Sequence, residues 1–296
     1  MTNPKNPKTH HISAFSLLEI SIVILVIGIL IAGITNGMDL YQDYRVEMAK
    51  QITIKSRVAT MPNLVVWLES SQKSSFEPNN IGEGAKITKW KNIVPNLVGK
   101  LDATLESGSA GPSFKQNIQS SLAGAYFELG KNNCISIPVG YDSGSTENSV
   151  FLVVKLDKTN PGGVRIMSTW NSSRLYWIQL YITGLGVGYQ SGNFFLYSAV
   201  TNNGSYYKNK AELRNYYQKP NLVKFYHNKN LIPDPEEGYA PPDYSYKNAK
   251  ISIGCKVGIG YDYPSMFVHE LIVFDRYLKD RERIIVEDYL YKKWNL

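Results

Sequence analysis

Glu19 is the residue whose chemistry is hardest to accommodate, because it is the one ionisable side chain in the apolar stretch from Phe15 to Ile34. A charged group at the centre of a membrane helix costs at least about 2.5 kcal/mol, so such an acid usually has a partner or a function. Glu19 lies near one end of the stretch, however, and its side chain could instead reach the membrane interface. The residues by themselves leave both interpretations open.

Aromatic side chains form the second chemically informative set. Sugars are bound by flat aromatic faces beside hydrogen-bonding groups, because their C–H faces stack on rings. Trp170, Tyr176 and Trp177 flank a predicted loop and hairpin, and Tyr244 lies in a loop-rich stretch. We predict that these four residues contribute to a ligand site. For any one of them, packing or a protein interface is the more common role.

The two cysteines, Cys134 and Cys255, are too few for a disulfide scaffold and lack the paired spacing of a zinc site. Both lie in strand-like segments of a domain predicted to face an oxidising compartment, so we predict a disulfide between them. Two separately buried thiols are the alternative. The acidic residues lack calcium-ligand spacing, so no metal or cofactor is expected. The net charge of +7 is spread along the chain, which argues against nucleic-acid binding.

The elements that would position these residues begin with a basic leader, residues 1–14, which carries two lysines and no acid. The 20 residues from Phe15 to Ile34 are long enough to cross the roughly 30 Å hydrocarbon core of a membrane. A secretory signal, with its shorter apolar run, fits this stretch less well. An amphipathic pattern follows as far as Pro62, so we predict a helix over residues 15–60.

The N-terminus resembles that of type IV pilins and pseudopilins in its short leader, its FSLLE segment at 15–19 and its unbroken apolar helix. The resemblance implies that a prepilin peptidase cuts between Ala14 and Phe15 and that the new amine is methylated. It also implies that Glu19 pairs with a terminal amine during filament assembly. Ala14 replaces the usual glycine, and the helix lacks the proline of many major pilins, which fits minor pilins and pseudopilins.

From Leu64 onward, short β-rich runs bounded by Gly, Asn, Asp and Pro are typical of an antiparallel sandwich. A later helix is predicted at about 280–293, with Asp280 as its N-cap. Three segments resemble the concanavalin A-like lectin/glucanase superfamily, in its laminin G-like subgroup: LVVWLESSQ at 64–72, AYFELGKNNCISIP at 125–138 and FVHELIVFDRYLKDRERIIVEDYLYKKWNL at 267–296. The resemblance implies a jelly-roll domain over residues 62–296. We therefore predict an α+β chain with a long N-terminal pilin-like helix, a mostly β jelly-roll sandwich and a short C-terminal helix.

Glycanases built on this sandwich place two carboxylates on one strand face, one to donate a proton and one to attack or to activate water. The Glu-x-Asp-x-x-Glu arrangement of the superfamily's enzymes is absent here, and the nearest acidic pair, Glu270 with Asp275, has the wrong spacing. We assign this pair a structural role and expect a non-enzyme. A degenerate glycanase would need an acid pair that the sequence does not show.

These features together predict a minor pilin or pseudopilin that assembles into a type IV pilus or a type II secretion-like filament. It would display a lectin-like domain for adhesion or glycan binding. The expected partners are a prepilin peptidase, other pilin or pseudopilin subunits, the membrane, and a polysaccharide or glycan. The expected location is the inner membrane, in a single pass, with the domain periplasmic or extracellular. The alternative is a membrane-tethered lectin-like protein that never enters a filament.

Overall fold

The protein is described from a computed structural model, which covers residues 16–97, 100–141, 147–156, 164–171, 174–181, 184–191, 194–201, 211–219, 222–232, 249–255 and 265–296. The chain divides into two compact units, Met1–Tyr44 and Arg45–Leu296, and we call the second unit the head. A long N-terminal helix, antiparallel sheets and a short C-terminal helix confirm the predicted α+β class.

Helix α1 (Leu17–Ile54) begins in the first unit, where its apolar segment is long and apolar enough to cross a membrane. Its large apolar side chains are exposed, Leu25 by 63% and Ile29 by 64%. A contiguous apolar surface of this kind is typical of a segment that lipid or a protein partner covers.

The helix ends six residues earlier than its sequence pattern predicts. After Ile54 the chain passes Ser56 and forms a 3₁₀ turn at Arg57–Thr60. The Ser56 hydroxyl accepts a hydrogen bond from the Val58 amide at 3.1 Å. A serine that bonds to the backbone ahead of it competes with the helical ladder, and this local bond explains the early end.

Sixteen strands are present in the described residues, and their bounds are as follows. They are β1 (Leu64–Glu69), β2 (Lys89–Trp90), β3 (Ala103–Leu105), β4 (Ser113–Gln119), β5 (Leu122–Phe127), β6 (Ile135–Tyr141), β7 (Asn148–Leu156), β8 (Val164–Asn171), β9 (Arg174–Tyr181), β10 (Gly184–Ser191), β11 (Phe194–Thr201), β12 (Glu212–Lys219), β13 (Leu222–His227), β14 (Asn230–Ile232), β15 (Ala249–Ile253) and β16 (Met266–Phe274). Helix α2 (Asp280–Trp294) follows the last strand.

The strands form two antiparallel sheets. Sheet 1 has the order β14-β13-β12-β7-β16-β5-β4, and β1 also pairs with β16. Sheet 2 has the order β11-β10-β9-β8-β15-β6-β3-β2. One apolar core contains residues from both sheets, including Leu152 on β7 and Ile253 on β15. A second core joins sheet 1 to α2 and to the last turns of α1 through residues such as Ala49, Trp67 and Leu290.

A bulge in β16 decides which of its residues enter which core. The register of β16 against β7 shifts between Val268 and Glu270. Val268 and Leu271 therefore both belong to the core between the sheets, whereas Ile272 belongs to the core under α2. Because side chains alternate along a strand, the extra residue moves Glu270 to the α2 side of the sheet.

Helix α2 starts with a different cap from the one predicted. Asp280 is the first helical residue, and Lys279 occupies the N-cap position. The Lys279 amide donates to Oε2 of Glu282 at 3.0 Å, so the third helical residue supplies the capping carboxylate. Arg276 donates to both oxygens of Glu282, at 2.8 and 2.7 Å, and fixes the carboxylate in this position.

Candidate functional site

Glu19 bonds to the N-terminus of its own helix. Its Oε2 atom accepts a hydrogen bond from the Ser16 backbone amide at 2.9 Å. The Ser16 hydroxyl in turn accepts from the amides of Leu18 at 3.2 Å and Glu19 at 3.3 Å. These contacts form a capping box, which satisfies amides that have no partner within the helix. The S-x-x-E spacing was available in the sequence as a signal for it; the predicted cleavage residues Ala14 and Phe15 lie outside the described residues.

A buried cluster of charged residues lies between sheet 1 and α2. Nζ of Lys293 lies 2.9 Å from Oε2 of Glu69 and 3.0 Å from Oε2 of Glu270, and all three side chains are 0% exposed. Glu69 and Glu270 are register partners on β1 and β16. Lys293 comes from the last turn of α2. The cluster therefore holds two carboxylates about one ammonium inside the head.

Neutral donors complete the coordination of the Glu270 carboxylate. The indole N–H groups of Trp67 and Trp294 each donate to it at 2.6 Å, and so does the Tyr289 hydroxyl. The Thr53 hydroxyl, at the end of α1, lies 3.2 Å from the Tyr289 hydroxyl. Buried charges persist in proteins only when they are paired and hydrogen-bonded, and Glu270 meets both conditions.

Glu69 has its own set of hydrogen bonds. Its carboxylate accepts from the Ser71 amide at 3.1 Å, from the Ser71 hydroxyl, and from the Ser75 hydroxyl at 3.0 Å. Burial pushes the pKa of Glu69 upward, but the Lys293 ammonium and these hydrogen bonds outweigh it and lower the pKa below its usual value. Burial likewise disfavours the Lys293 ammonium, yet Glu270 and Glu69 raise its pKa. Glu69 and Lys293 are therefore both ionised at neutral pH.

This cluster has the chemistry of a structural clamp. Both carboxylates are shielded from solvent and bonded to groups of the protein, so neither is placed to donate a proton to a substrate. The clamp joins the first and last strands of the head to the C-terminal helix. The two acids considered as a pair in the sequence, Glu270 and Asp275, do not share a site. Glu270 lies in the clamp, whereas Asp275 lies beyond the end of β16. Burial raises the pKa of Asp275 to about 6.

Sequence reasoning missed Glu69 and Lys293 as members of one cluster. One signal for Lys293 was its spacing from Val286, Tyr289 and Leu290, which are all buried on α2. A lysine at the next position of an apolar helical face is expected to have a buried partner. The partners themselves could not be found in this way, because they lie on strands far away in the sequence.

Three of the four predicted aromatic residues occupy adjacent strands of sheet 2. Trp170 is on β8, and Tyr176 and Trp177 are on β9. Trp170 is the register partner of Lys250, and Trp177 is that of Ser168. Consecutive residues of a strand lie on opposite faces, so Trp177 and Tyr176 belong to different faces of sheet 2. Tyr244 lies outside the described residues.

Cys134 and Cys255 are joined by a disulfide, with their Cα atoms 4.5 Å apart. Cys134 immediately precedes β6, and Cys255 lies two residues after the end of β15, the neighbouring strand of sheet 2. The bond closes a loop with a sequence separation of 121. Glu106 lies close to both sulfurs. Its carboxylate forms an ion pair with Lys250, and the oxidised cysteines offer no thiolate to a metal ion.

The two antiparallel sheets of the head form a β-sandwich. No known protein family matches the chain by sequence, and no curated protein matches it. Among solved structures, the head resembles the binding domain of Paraclostridial mosquitocidal protein 1, with a TM-score of 0.57 and 11% identity over 80% of this chain and 56% of that one. It also resembles the binding domain of botulinum neurotoxin DC in complex with SialylT, with a TM-score of 0.54 and 12% identity over 77% of this chain and 51% of that one.

The head also resembles a shorter solved domain, which it covers almost completely. This is domain 4 of AbnA, a GH43 extracellular arabinanase from Geobacillus stearothermophilus, in complex with arabinotriose. The TM-score is 0.53 and the identity 14%, over 77% of this chain and 98% of that domain. The chain spans only about half the length of the two toxin binding domains. At these identities the similarity shows a shared fold.

Proposed function

We propose that the chain is a membrane-anchored, pilin-like protein whose head binds glycans. The observation that carries the proposal is the combination of two parts in one chain. The first is an exposed apolar helix with a single acid in its first turn, and the second is a lectin-like β-sandwich. Similar sandwiches occur in an arabinanase domain solved with arabinotriose and in a toxin binding domain solved with SialylT.

In this proposal the chain is a minor pilin or pseudopilin. A prepilin peptidase cleaves it between Ala14 and Phe15, and the mature subunit joins other pilin or pseudopilin subunits in a type IV pilus or a type II secretion-like filament. The helix anchors the subunit in the inner membrane before assembly, and the head is then periplasmic or displayed outside the cell. The pattern of the leader and of residues 15–19 supports this part of the proposal.

N-terminal sequencing of the mature protein is the first test. A mature chain that begins at a methylated Phe15 supports the pilin proposal, whereas an intact leader contradicts it. The control is Ala14→Lys, which replaces a small residue before the cut with a long charged one and is expected to block processing. Membrane fractionation of the same samples separates a processing defect from failed insertion.

Glu19 provides the second test, because its capping role and its proposed ion pair need different chemistry. Glutamine keeps a side-chain oxygen that can cap the helix, but it has no charge to offer an amine. We expect Glu19→Gln to insert in the membrane as the parent does and to lose filament incorporation. Glu19→Leu removes both features and should also fail to assemble. Ser16→Ala weakens the cap and leaves the charge, so it should assemble.

The membrane-tethered lectin is the second candidate, and one observation favours it. The Ser16 amide already satisfies Glu19 within α1, so the acid does not require an amine from a second subunit. If the protein binds its ligand without entering a filament, Glu19→Gln should behave like the parent in every assay. Ser16→Ala and Glu19→Leu should then share the same helix-capping defect.

The proposal assigns binding and no hydrolysis to the head. Its support is that the paired carboxylates Glu69 and Glu270 are fully buried and tied to Lys293. Incubating the protein with a panel of polysaccharides and measuring new reducing ends tests this statement. Cleavage that survives in Glu270→Gln would require an acid pair elsewhere and would refute the binding-only assignment.

A further inference from the structure

Lys293 and Glu270 lie close enough to react, in a part of the head that solvent does not reach. Nζ of Lys293 is 3.0 Å from Oε2 of Glu270 and 2.9 Å from Oε2 of Glu69, and all three side chains are 0% exposed. An amine held against a carboxyl group can react as if its concentration were about 10⁵–10⁸ M. Full burial also keeps away the solvent that would hydrolyse the product. The cluster therefore meets the geometric condition for an amide bond between two side chains.

The cluster has one carboxylate more than an ion pair with Lys293 needs. Buried charges are costly, and three of them meet here. Burial is the largest influence on the pKa of both Glu69 and Lys293, and in each it opposes the charged form, although their ionic partners keep both ionised. An amide bond between Lys293 and Glu270 leaves Glu69 as the one charged member. The second carboxylate has a use in that reaction, because an ammonium must lose a proton before its nitrogen can attack.

Hydrogen bonds distinguish the two carboxyl groups. Oε1 of Glu270 accepts from the Trp67 indole and from the Tyr289 hydroxyl, both at 2.6 Å. Two fixed donors on one oxygen are the arrangement that stabilises the negative charge of a tetrahedral intermediate. The Trp294 indole donates to the other oxygen, Oε2, at 2.6 Å. Glu270 is therefore the carboxyl group prepared for attack.

Glu69 is placed to move protons. Its Oε2 atom accepts a hydrogen bond from Nζ of Lys293 at 2.9 Å, which is the geometry of a general base. Ser71 donates its amide to this carboxylate at 3.1 Å, and the Ser75 hydroxyl donates at 3.0 Å. These hydrogen bonds favour the charged form, so Glu69 can end the reaction as the carboxylate that it was at the start.

We propose that Lys293 and Glu270 form an intramolecular isopeptide bond, with Glu69 as general base and then general acid. Glu69 takes a proton from the Lys293 ammonium, and the neutral amine attacks Cδ of Glu270 to form the C–N bond. The Cδ–Oε2 bond of Glu270 then breaks with its electron pair on the oxygen. Glu69 delivers two of the ammonium protons in turn to this oxygen, which leaves as water, and the third proton stays on the amide nitrogen. The reaction involves no oxidation or reduction and needs no co-reactant.

The bond ties α2 to sheet 1 covalently. Glu270 lies on β16, which pairs with β5, β7 and β1, so the helix is fixed to a strand in the middle of the sheet. Until the bond forms, the same three residues act as the ion-paired clamp. This inference does not depend on glycan binding or on filament assembly, so its failure and theirs are separate results.

Peptide mapping by mass spectrometry of the reduced, trypsin-digested full-length protein tests the bond. Trypsin does not cleave after a lysine whose amine is acylated, so the expected product joins residues 257–276, which contain Glu270, to residues 293–296. Its mass is that of the two peptides less one water. Finding only unlinked peptides in the parent would overturn the proposal. A link from Lys293 to residues 58–73, which contain Glu69, would overturn the assignment of Glu270 as the acceptor.

Variants test the role of each group. Lys293→Arg keeps the positive charge but not the nucleophilic amine, so it should give no linked peptide. Lys292→Arg changes the exposed neighbour, is the matched control and should be linked as the parent is. Glu270→Gln should give a linked peptide of the same mass as the parent's, because glutamine loses ammonia and leaves the same amide. Glu69→Gln keeps an oxygen for the serines but cannot carry protons.

Samples taken at intervals after synthesis give the rate of linkage. Glu69→Gln should be linked at least about 100-fold more slowly than the parent, the usual contribution of a general acid–base group. An equal rate in folded Glu69→Gln would overturn the role of Glu69. Thermal unfolding checks each variant, and Glu69→Asp, which keeps the acid, replaces Glu69→Gln if that variant does not fold; its shorter side chain should also slow linkage. The peptide map of the parent decides by itself whether the bond forms.

Discussion

Replacing Lys293 by methionine should destabilise the head more than any other single substitution of a lysine on α2. The side chain is fully buried, and its ammonium lies 2.9 Å from Glu69 and 3.0 Å from Glu270. Methionine keeps much of the length of the chain but none of its charge, so two carboxylates remain buried side by side. Removing one partner of a buried ion pair typically costs about 3–5 kcal/mol. Because two carboxylates lose their cation here, we expect the upper part of that range.

The pH dependence of the variant should have the opposite sign to that of the parent. In the parent the folded-state pKa of Glu69 is lowered, so its contribution to stability is complete above the unfolded value and is lost as the pH falls. Without Lys293, burial and the facing Glu270 carboxylate raise the folded-state pKa of Glu69 instead. The variant is then destabilised as the pH rises through and above the unfolded value, about 4.3 for glutamate. The difference in the free energy of unfolding between the parent and Lys293→Met should therefore grow from about pH 4.5 to about pH 8.

Urea unfolding, monitored by tryptophan fluorescence, measures this difference in the free energy of unfolding. The five tryptophans all lie beyond residue 66, so the signal reports on the head even in full-length protein. Lys292→Met is the control, because this neighbouring lysine is exposed and should change the free energy of unfolding by less than about 0.5 kcal/mol. A Lys293→Met variant that is as stable as the Lys292→Met variant at pH 8 would refute the clamp interpretation.

Three further predictions concern the same head. Cys134→Ser with Cys255→Ser should lower its free energy of unfolding by about 2–5 kcal/mol, and reduction of the parent should match this loss in urea titrations. Asp275→Asn should stabilise the head at pH 8 by about 1 kcal/mol after allowance for solvent screening, and by nothing near pH 4. The reason is that the raised pKa of about 6 means the fold favours the protonated acid, and an unchanged stability at pH 8 would contradict it. A fragment that starts at Arg45 should unfold at a higher urea concentration than one that starts at Met61, because only the longer fragment keeps Ala49 in the second core; equal midpoints would count against this.

Local composition was enough to predict the main elements. The apolar run after Phe15 predicted a helix, and the short β-rich runs bounded by turn residues after Leu64 predicted a sandwich, because both signals depend on neighbouring residues. The S-x-x-E spacing of Ser16 and Glu19 also encodes the cap of α1, and the capping box is a purely local structure. The end of α1 at Ile54 was harder to predict from the sequence, because a single hydrogen bond to the Ser56 hydroxyl decides it.

Tertiary structure decided which distant residues share a site. One extra residue in β16 places Glu270 beside Glu69 and Lys293, and no spacing within the sequence reports a bulge or the strand it pairs with. Strand pairing likewise aligns Trp170 with Lys250 and Trp177 with Ser168, residues that are far apart in the sequence. Register is fixed by which faces are buried against other elements, so it depends on contacts across the whole chain. The sequence determined the elements and their chemistry, and only the packed sheets determined which of those groups meet.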